Sequence, residues 1–501
     1  MNPRSGLAVI ISLAVLFVVV SPATYAQTTS QASPEQIQAL QSKLDALQSQ
    51  MAEVQGEIRR LTGEPAPSEP ADLKSEINTV VAAEQKQEVS QVETELTPKQ
   101  KELGQTTVAY RVFSQDPLAA ARINNEPLDP AFPGFFRIPG TNTLMRIGGY
   151  AKTDFIYDIR SAGNLDAFIP ATIPIPTPAN FTNSTMSVRG TRFNLDFRVP
   201  SRSGDGDSYR FYFEMDFFGT NATTPRLRHA YGQARNFLLG QTFSNFMDPD
   251  AGPDQIDEQG PNAQVSIRSP LFQYSVLVAE KTAFSISAEK PNSDVLFMTP
   301  DFVAQPNSPS PDGTLKIRRE MDRGHLQLSA LFRSVAAFLP DGRHESVFGW
   351  GFNFAGATRL WGKDTAVYQV AYGNGIERYI NDTSGLGIDA AVSSLQNPHI
   401  QALPVVATYG ALQHFWNEHA RSSAFYSFVQ VQNTEAQVAS IYHQGQYMGG
   451  NLIWNPFGAL TVGGEFLYGW RVNKDNSTGN APRIQISAKY NFVRYEYAGE
   501  R

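Results

Sequence analysis

The sequence predicts an all-β membrane protein: a sixteen-stranded antiparallel transmembrane β-barrel preceded by an N-terminal α-helical coiled coil. Three observations predict it. The chain opens on a secretory leader. An apolar repeat of four heptads follows. From Leu144 the apolar period becomes two, and long connections alternate with short ones.

The leader comes first. Arg4 supplies a positive start, and Leu7 to Val20 is apolar except for Ser12. Thr24-Tyr25-Ala26 places small residues at the two recognition positions of a cleavage site. The run is too short for a membrane-spanning helix, which needs about 20 residues. Residues 1–26 therefore read as a signal peptide, with Gln27 as the expected mature start. No later segment is apolar enough to span as a helix, so any membrane crossing is made by strands. Cysteine is absent, which excludes disulfides and thiolate metal sites.

Charge is unevenly placed. Residues 27–143 hold 10 Lys/Arg and 16 Asp/Glu, while residues 144–501 hold 30 and 32. Neither part is basic, which argues against nucleic acid as a partner.

Residues 27–63 read as the coiled coil. Ile37, Leu44, Met51 and Ile58 fill one core position; Leu40, Leu47, Val54 and Leu61 fill the other. The three-four spacing is that of a left-handed coiled coil. Ser33 is placed to cap the helix, Pro34 stands at its first position and Gln36 closes a capping box. Ile with Leu leans towards dimers, but Met51 and Val54 blur the rule, so the heptads leave the oligomer number open. Residues 64–143 read as a helical and irregular linker with prolines at 98, 117, 127, 130 and 133.

Residues 144–492 read as the barrel. Met145, Ile147, Ala151, Phe155 and Tyr157 share one parity, and Arg146, Lys152, Asp154 and Asp158 share the other. Phe193, Leu195, Phe197 and Val199 alternate with Arg192, Asn194, Asp196 and Arg198. Tyr209, Phe211, Phe213, Met215 and Phe217 alternate with Arg210, Glu214 and Asp216. Outer loops are expected near 160–184, 218–225, 244–263, 291–312, 336–345, 377–402, 433–443 and 473–482. Short turns are expected near 200–207, 235–236, 280–283, 320–324, 362–364, 417–420 and 455–459. Long outer loops against short periplasmic turns are the barrel pattern, and an even strand number puts both barrel ends in the periplasm. The last strand sends Ile484, Ile486, Ala488, Tyr490 and Phe492 to lipid, leaving residues 493–501 as a tail. Tyr468, Trp470, Trp454, Tyr490 and Phe492 read as interfacial girdle rather than as a sugar slide.

By parity, Lys152, Arg192, Arg198, Arg210, Arg226 and Arg228 form a basic wall inside the pore. The third long loop carries Asp248, Asp250, Asp254, Asp257 and Glu258, and is expected to fold inward as a constriction opposite that wall. Such a transverse field would orient dipolar solutes. Asp248-Pro-Asp-Ala-Gly-Pro-Asp lacks the full ligand run of a calcium loop, and the seven His form no HExxH motif, so neither a metal nor a cofactor is expected. No nucleophile elbow is present, and no catalytic residue is assigned.

From about Ile138 to Phe492 the chain resembles the DcaP-like outer-membrane porins. The stretches that carry the likeness are Ile138-Pro-Gly-Thr-Asn-Thr, Ile147-Gly-Gly-Tyr, Glu214-Met-Asp-Phe-Phe-Gly, Arg226-Leu-Arg-His-Ala-Tyr-Gly and Gly240-Gln-Thr-Phe-Ser-Asn-Phe-Met-Asp. Further along stand Ala371-Tyr-Gly-Asn-Gly-Ile-Glu-Arg-Tyr, Gln413-His-Phe-Trp, Asn451-Leu-Ile-Trp-Asn-Pro and Arg483-Ile-Gln-Ile-Ser-Ala-Lys-Tyr-Asn-Phe. The resemblance implies a homotrimeric channel in the bacterial outer membrane that passes small organic anions such as dicarboxylates. The partners to expect are outer-membrane lipid, other copies of the chain and small anionic solutes. A tether to the cell wall through the coiled coil and a barrel-embedded enzyme stand as alternatives.

Overall fold

A computed structural model describes residues 135–492, except 180, 200–208, 221–222, 297–304, 395, 397 and 458. The signal peptide, the coiled coil, most of the linker and the tail 493–501 lie outside the described residues.

Sixteen wall strands follow one another. They are β1 (Leu144–Asp158), β2 (Arg192–Val199), β3 (Tyr209–Asp216), β4 (Arg226–Ala234), β5 (Phe237–Phe243), β6 (Arg268–Ala279), β7 (Thr282–Glu289) and β8 (Asp312–Met321). The second half comprises β9 (Gly324–Phe338), β10 (His344–Arg359), β11 (Thr365–Asn374), β12 (Pro404–Phe415), β13 (Ala420–Val431), β14 (Tyr442–Phe457), β15 (Leu460–Asn473) and β16 (Thr478–Asn491). Each pairs antiparallel with the next, and β16 pairs with β1 from Tyr150↔Asn491 to Asp158↔Arg483. The sheet is therefore a closed sixteen-stranded barrel with no free edge, the arrangement that satisfies every backbone group in lipid. Strands such as β1, with 15 residues, and β10, with 16, exceed the 9–11 residues or so a tilted strand needs to cross.

The seam is closed by an aromatic. Phe492 stacks on Phe193 of β2, ring centres 6.5 Å apart. At Gly149 of β1, φ is +141° and a Cβ would stand 2.7 Å from the Phe492 ring, so only glycine fits beneath it.

The inside and outside are those of a membrane protein. Phe348, Leu239 and Ile486 are 66, 67 and 54% exposed, whereas Lys152, Arg192, Asp196 and Glu214 are 1% or less. A soluble sandwich buries the opposite set. The same parity governs β16: Ile484, Ile486, Tyr490 and then Phe492 face out, and Arg483, Gln485, Ser487 and Lys489 face in.

Several connections depart from the expected lengths. The stretch read as linker contributes one short strand, Phe136–Arg137, which pairs with β1. Two expected long loops are tight turns: 339–343 between β9 and β10, and 474–477 between β15 and β16. There the strands run on beyond the apolar belt. Gly479, Asn480 and Pro482 break the alternation although they remain in the ladder, and Asn476, at φ 65°, makes the turn. The first and sixth loops are longer and more ordered than the sequence suggested. Loop one holds a 3-10 turn, Pro170–Thr172, and the strand Asn183–Ser187; loop six holds the 3-10 turn Glu377–Tyr379 and a small hairpin, Ala390–Val392 with Ile400–Ala402.

Candidate pore constriction

The third loop, residues 244–267, follows the inner wall through side-chain contacts on the later strands. Asn353 of β10 donates to the Phe246 carbonyl at 2.9 Å, and Tyr409 of β12 to the Ala251 carbonyl at 3.1 Å. On β14, Asn451 reaches the Asp254 carbonyl at 2.8 Å. Glu465 of β15 accepts the amides of Ile256 and Asp257. The far end meets the first strands: Lys152 of β1 donates to the Ile256 carbonyl at 2.9 Å, and Arg192 of β2 to Glu258 at 2.5 Å. A backbone segment can lie inside a barrel only when its polar groups are met in this way.

The loop carboxylates do not all face one wall. Glu258 pairs with Lys152 at 3.4 Å and with Arg192. Asp248 and Asp250 instead meet Arg318 of β8, at 3.0 and 2.7 Å, and Asp248 also bonds His325 of β9 at 2.8 Å. Asp254 pairs with Arg421 of β13 at 2.6 Å. Asp257 accepts the amide of Phe168, on loop one, at 3.1 Å. The expected opposition of acidic loop and basic wall is thus concentrated at Glu258.

The six basic residues separate by depth. Arg198 and Arg210 clamp Asp196 towards the end of β2 away from loop one, at 3.1 and 3.0 Å, together with Arg146 at 3.3 Å. Arg228 bridges Glu214 and Asp216, at 2.8 and 2.9 Å. Arg226 also pairs with Asp216, but its side chain is 41% exposed at the outer end of β4. Lys152 and Arg192 remain as the pair that touches the loop. Sequence parity placed all six inward; it could not show that wall carboxylates hold most of them.

Asp248, Asp250 and His325 bring ligand atoms within 4.8 Å of one another, the geometry of a cation site. Arg318 already occupies that position. Burial works against ionisation of Asp248, but His325 and Arg318 hold its carboxyl below the usual range.

Two further loops enter the lumen, and sequence reasoning missed both. Phe168 of loop one is fully buried and stacks on Tyr447 of β14, 5.0 Å between centres. Gly469 of β15 makes room: a Cβ there would stand 2.6 Å from the Phe168 ring. Loop six contributes Asp382, which accepts the Ala171 amide of loop one at 2.8 Å, Asn262 of loop three at 3.2 Å and the Tyr442 hydroxyl of β14 at 2.6 Å. One carboxylate thus clasps three loops and the wall. Burial pushes it up to about 6, and burial does the same for Asp257. The signal available was composition: Phe168-Ile-Pro-Ala-Thr-Ile-Pro-Ile-Pro is too apolar for a loop in water.

A closed barrel of sixteen antiparallel strands, with an apolar outer belt, a charged interior and an inward third loop, defines an outer-membrane porin. The sequence profile of the DcaP outer membrane protein family matches residues 137–492. The chain belongs to the DcaP outer membrane protein family. It is similar to the crystal structure of the outer membrane channel DcaP of Acinetobacter baumannii, with TM-score 0.62 and 23% identity, over 72% of this chain and 100% of that one. Weaker likenesses are to an anion-selective porin from Comamonas acidovorans, with TM-score 0.45 and 10% identity, over 70% and 100% of the chains. The trimer form of OmpT of Vibrio cholerae has the same TM-score, identity and shares. No curated protein sequence matches.

Proposed function

We propose that this porin is a water-filled diffusion channel for small hydrophilic solutes that favours organic anions such as dicarboxylates, that it assembles as a homotrimer, and that its N-terminal region lies in the periplasm. The observation that carries the anion preference is the pair Lys152 and Arg192. Lys152 lies in the middle of β1 and Arg192 opens β2 opposite Tyr150; both are buried where the end of loop three approaches the wall. A fixed charge at a narrowing acts on ions with the least screening. Inward basic groups on β1–β4 also outnumber acidic ones. The heptads of residues 37–61 support a second, compatible role as a periplasmic assembly or cell-wall tether.

A liposome-swelling series tests the main reading. Vesicles holding the purified full chain should admit succinate faster than a neutral sugar or an organic cation of similar size. Equal rates for all three would remove the anion preference, and no swelling would remove the channel.

A further inference from the structure

This inference rests on the reading of the chain as an anion-preferring channel and concerns how the Lys152–Arg192 pair meets its solute. Both cationic side chains are almost wholly enclosed, 0 and 1% exposed, while Glu258 is 12% exposed. Of the three groups, the Glu258 carboxylate is the partly exposed one. One of its oxygens lies on the guanidinium and the other towards the ammonium. A carboxylate spanning those two groups is chemically what a small organic anion would present.

The surroundings hold still without the Glu258 side chain. The backbone on either side is pinned separately: Ile256 and Asp257 amides on Glu465, the Gln259 amide on Asp257 at 3.0 Å, and the Gln259 carbonyl on Asn381 at 2.7 Å. Lys152 keeps Asp154 at 3.0 Å and the Ile256 carbonyl at 2.9 Å. Arg192 keeps Glu214 at 3.6 Å and lies 5.8 Å from the Tyr150 ring. The backbone that carries Glu258 is therefore held independently of its side chain, as are the two cations. Lys489 lies 4.9 Å from the same Tyr150 ring and offers a third cation nearby, which suits a second carboxylate.

We propose that Glu258 is a tethered competitor: its carboxylate occupies the anion position of the channel, and a small mono- or dicarboxylate displaces it in passage. A group on a short tether acts at millimolar or higher effective concentration. It weakens solute binding at the constriction enough for the solute to leave, as conduction requires.

The experiment uses the full chain in planar bilayers, with chloride current measured while succinate or acetate is added. Glu258→Gln and Glu258→Ala, each checked for heat-modifiable folding, should lower the half-blocking succinate concentration about tenfold. The gain should be larger for succinate than for acetate, and Arg192→Ala in the Glu258→Gln background should cancel it. An unchanged or higher half-blocking concentration in both folded variants, with an anion-preferring wild type, would overturn the competitor and leave the channel reading intact. Retention of the gain after Arg192→Ala would also overturn it. A wild type that passes no ions, or prefers cations, would instead overturn the channel reading itself.

Discussion

Glu465 of β15 takes the backbone N–H of Asp257 at 2.8 Å and that of Ile256 at 3.1 Å on the same carboxylate oxygen. Its other oxygen accepts from Asn451 of β14 at 3.1 Å. One wall carboxylate thus fixes the far turn of loop three against the strands opposite its origin.

Replacing Glu465 with Ala should free that turn. Two buried amides lose their acceptor, at about 1–3 kcal/mol each. The expected outcome is a folded barrel with noisier single-channel conductance, because the turn is no longer held against the wall. Conductance and noise equal to wild type would show that the remaining anchors suffice.

The Asp382 clasp predicts a pH dependence. A free aspartate titrates near pH 4, whereas Asp382 in the clasp is pushed up to about 6 by burial. Between those values the clasped state binds more protons than the released one. The clasp is therefore strongest below about pH 4, weakens as pH rises to about 6 and is level above, a difference of roughly 2–3 kcal/mol. Current noise from the clasped loops should therefore be lower at about pH 5 than at about pH 7.5. Asp382→Asn should remove part of this difference and leave the part due to Asp257, whose carboxyl is raised in the same way. Noise that falls with rising pH would contradict the sign.

The coiled coil is tested as a peptide. Residues 33–62 should be helical and self-associating, and Leu40→Asp with Leu47→Asp should abolish both, since each puts a charge into the repeated core position. Circular dichroism and sedimentation check it. A doubly substituted peptide that stays helical and oligomeric would remove the heptads as the cause.

Strand identity and facing were legible because a period of two leaves each wall residue one of two sides. Lys152 and Phe155, three apart, fall on opposite faces for that reason alone. The constriction was legible only in part. Loop residues follow no period, and their partners lie far along the chain: Ile256 meets Glu465, and Ala171 meets Asp382. Nothing local told Glu258, which meets the basic wall, from Asp254, which meets Arg421. The turn 474–477 is shorter than the apolar pattern suggests because Gly479 and Pro482 interrupt that pattern without leaving the ladder.

On the proposed reading, basic groups on the early strands set an anion preference. Reversal potentials of single channels under a KCl gradient, at low salt where screening is weakest, measure it directly. Wild type should pass chloride more readily than potassium, and Arg192→Ala with Arg228→Ala should lower that ratio by about twofold or more. A wild-type channel that prefers potassium, or a ratio unchanged by the double substitution, would contradict control of the pore by these groups.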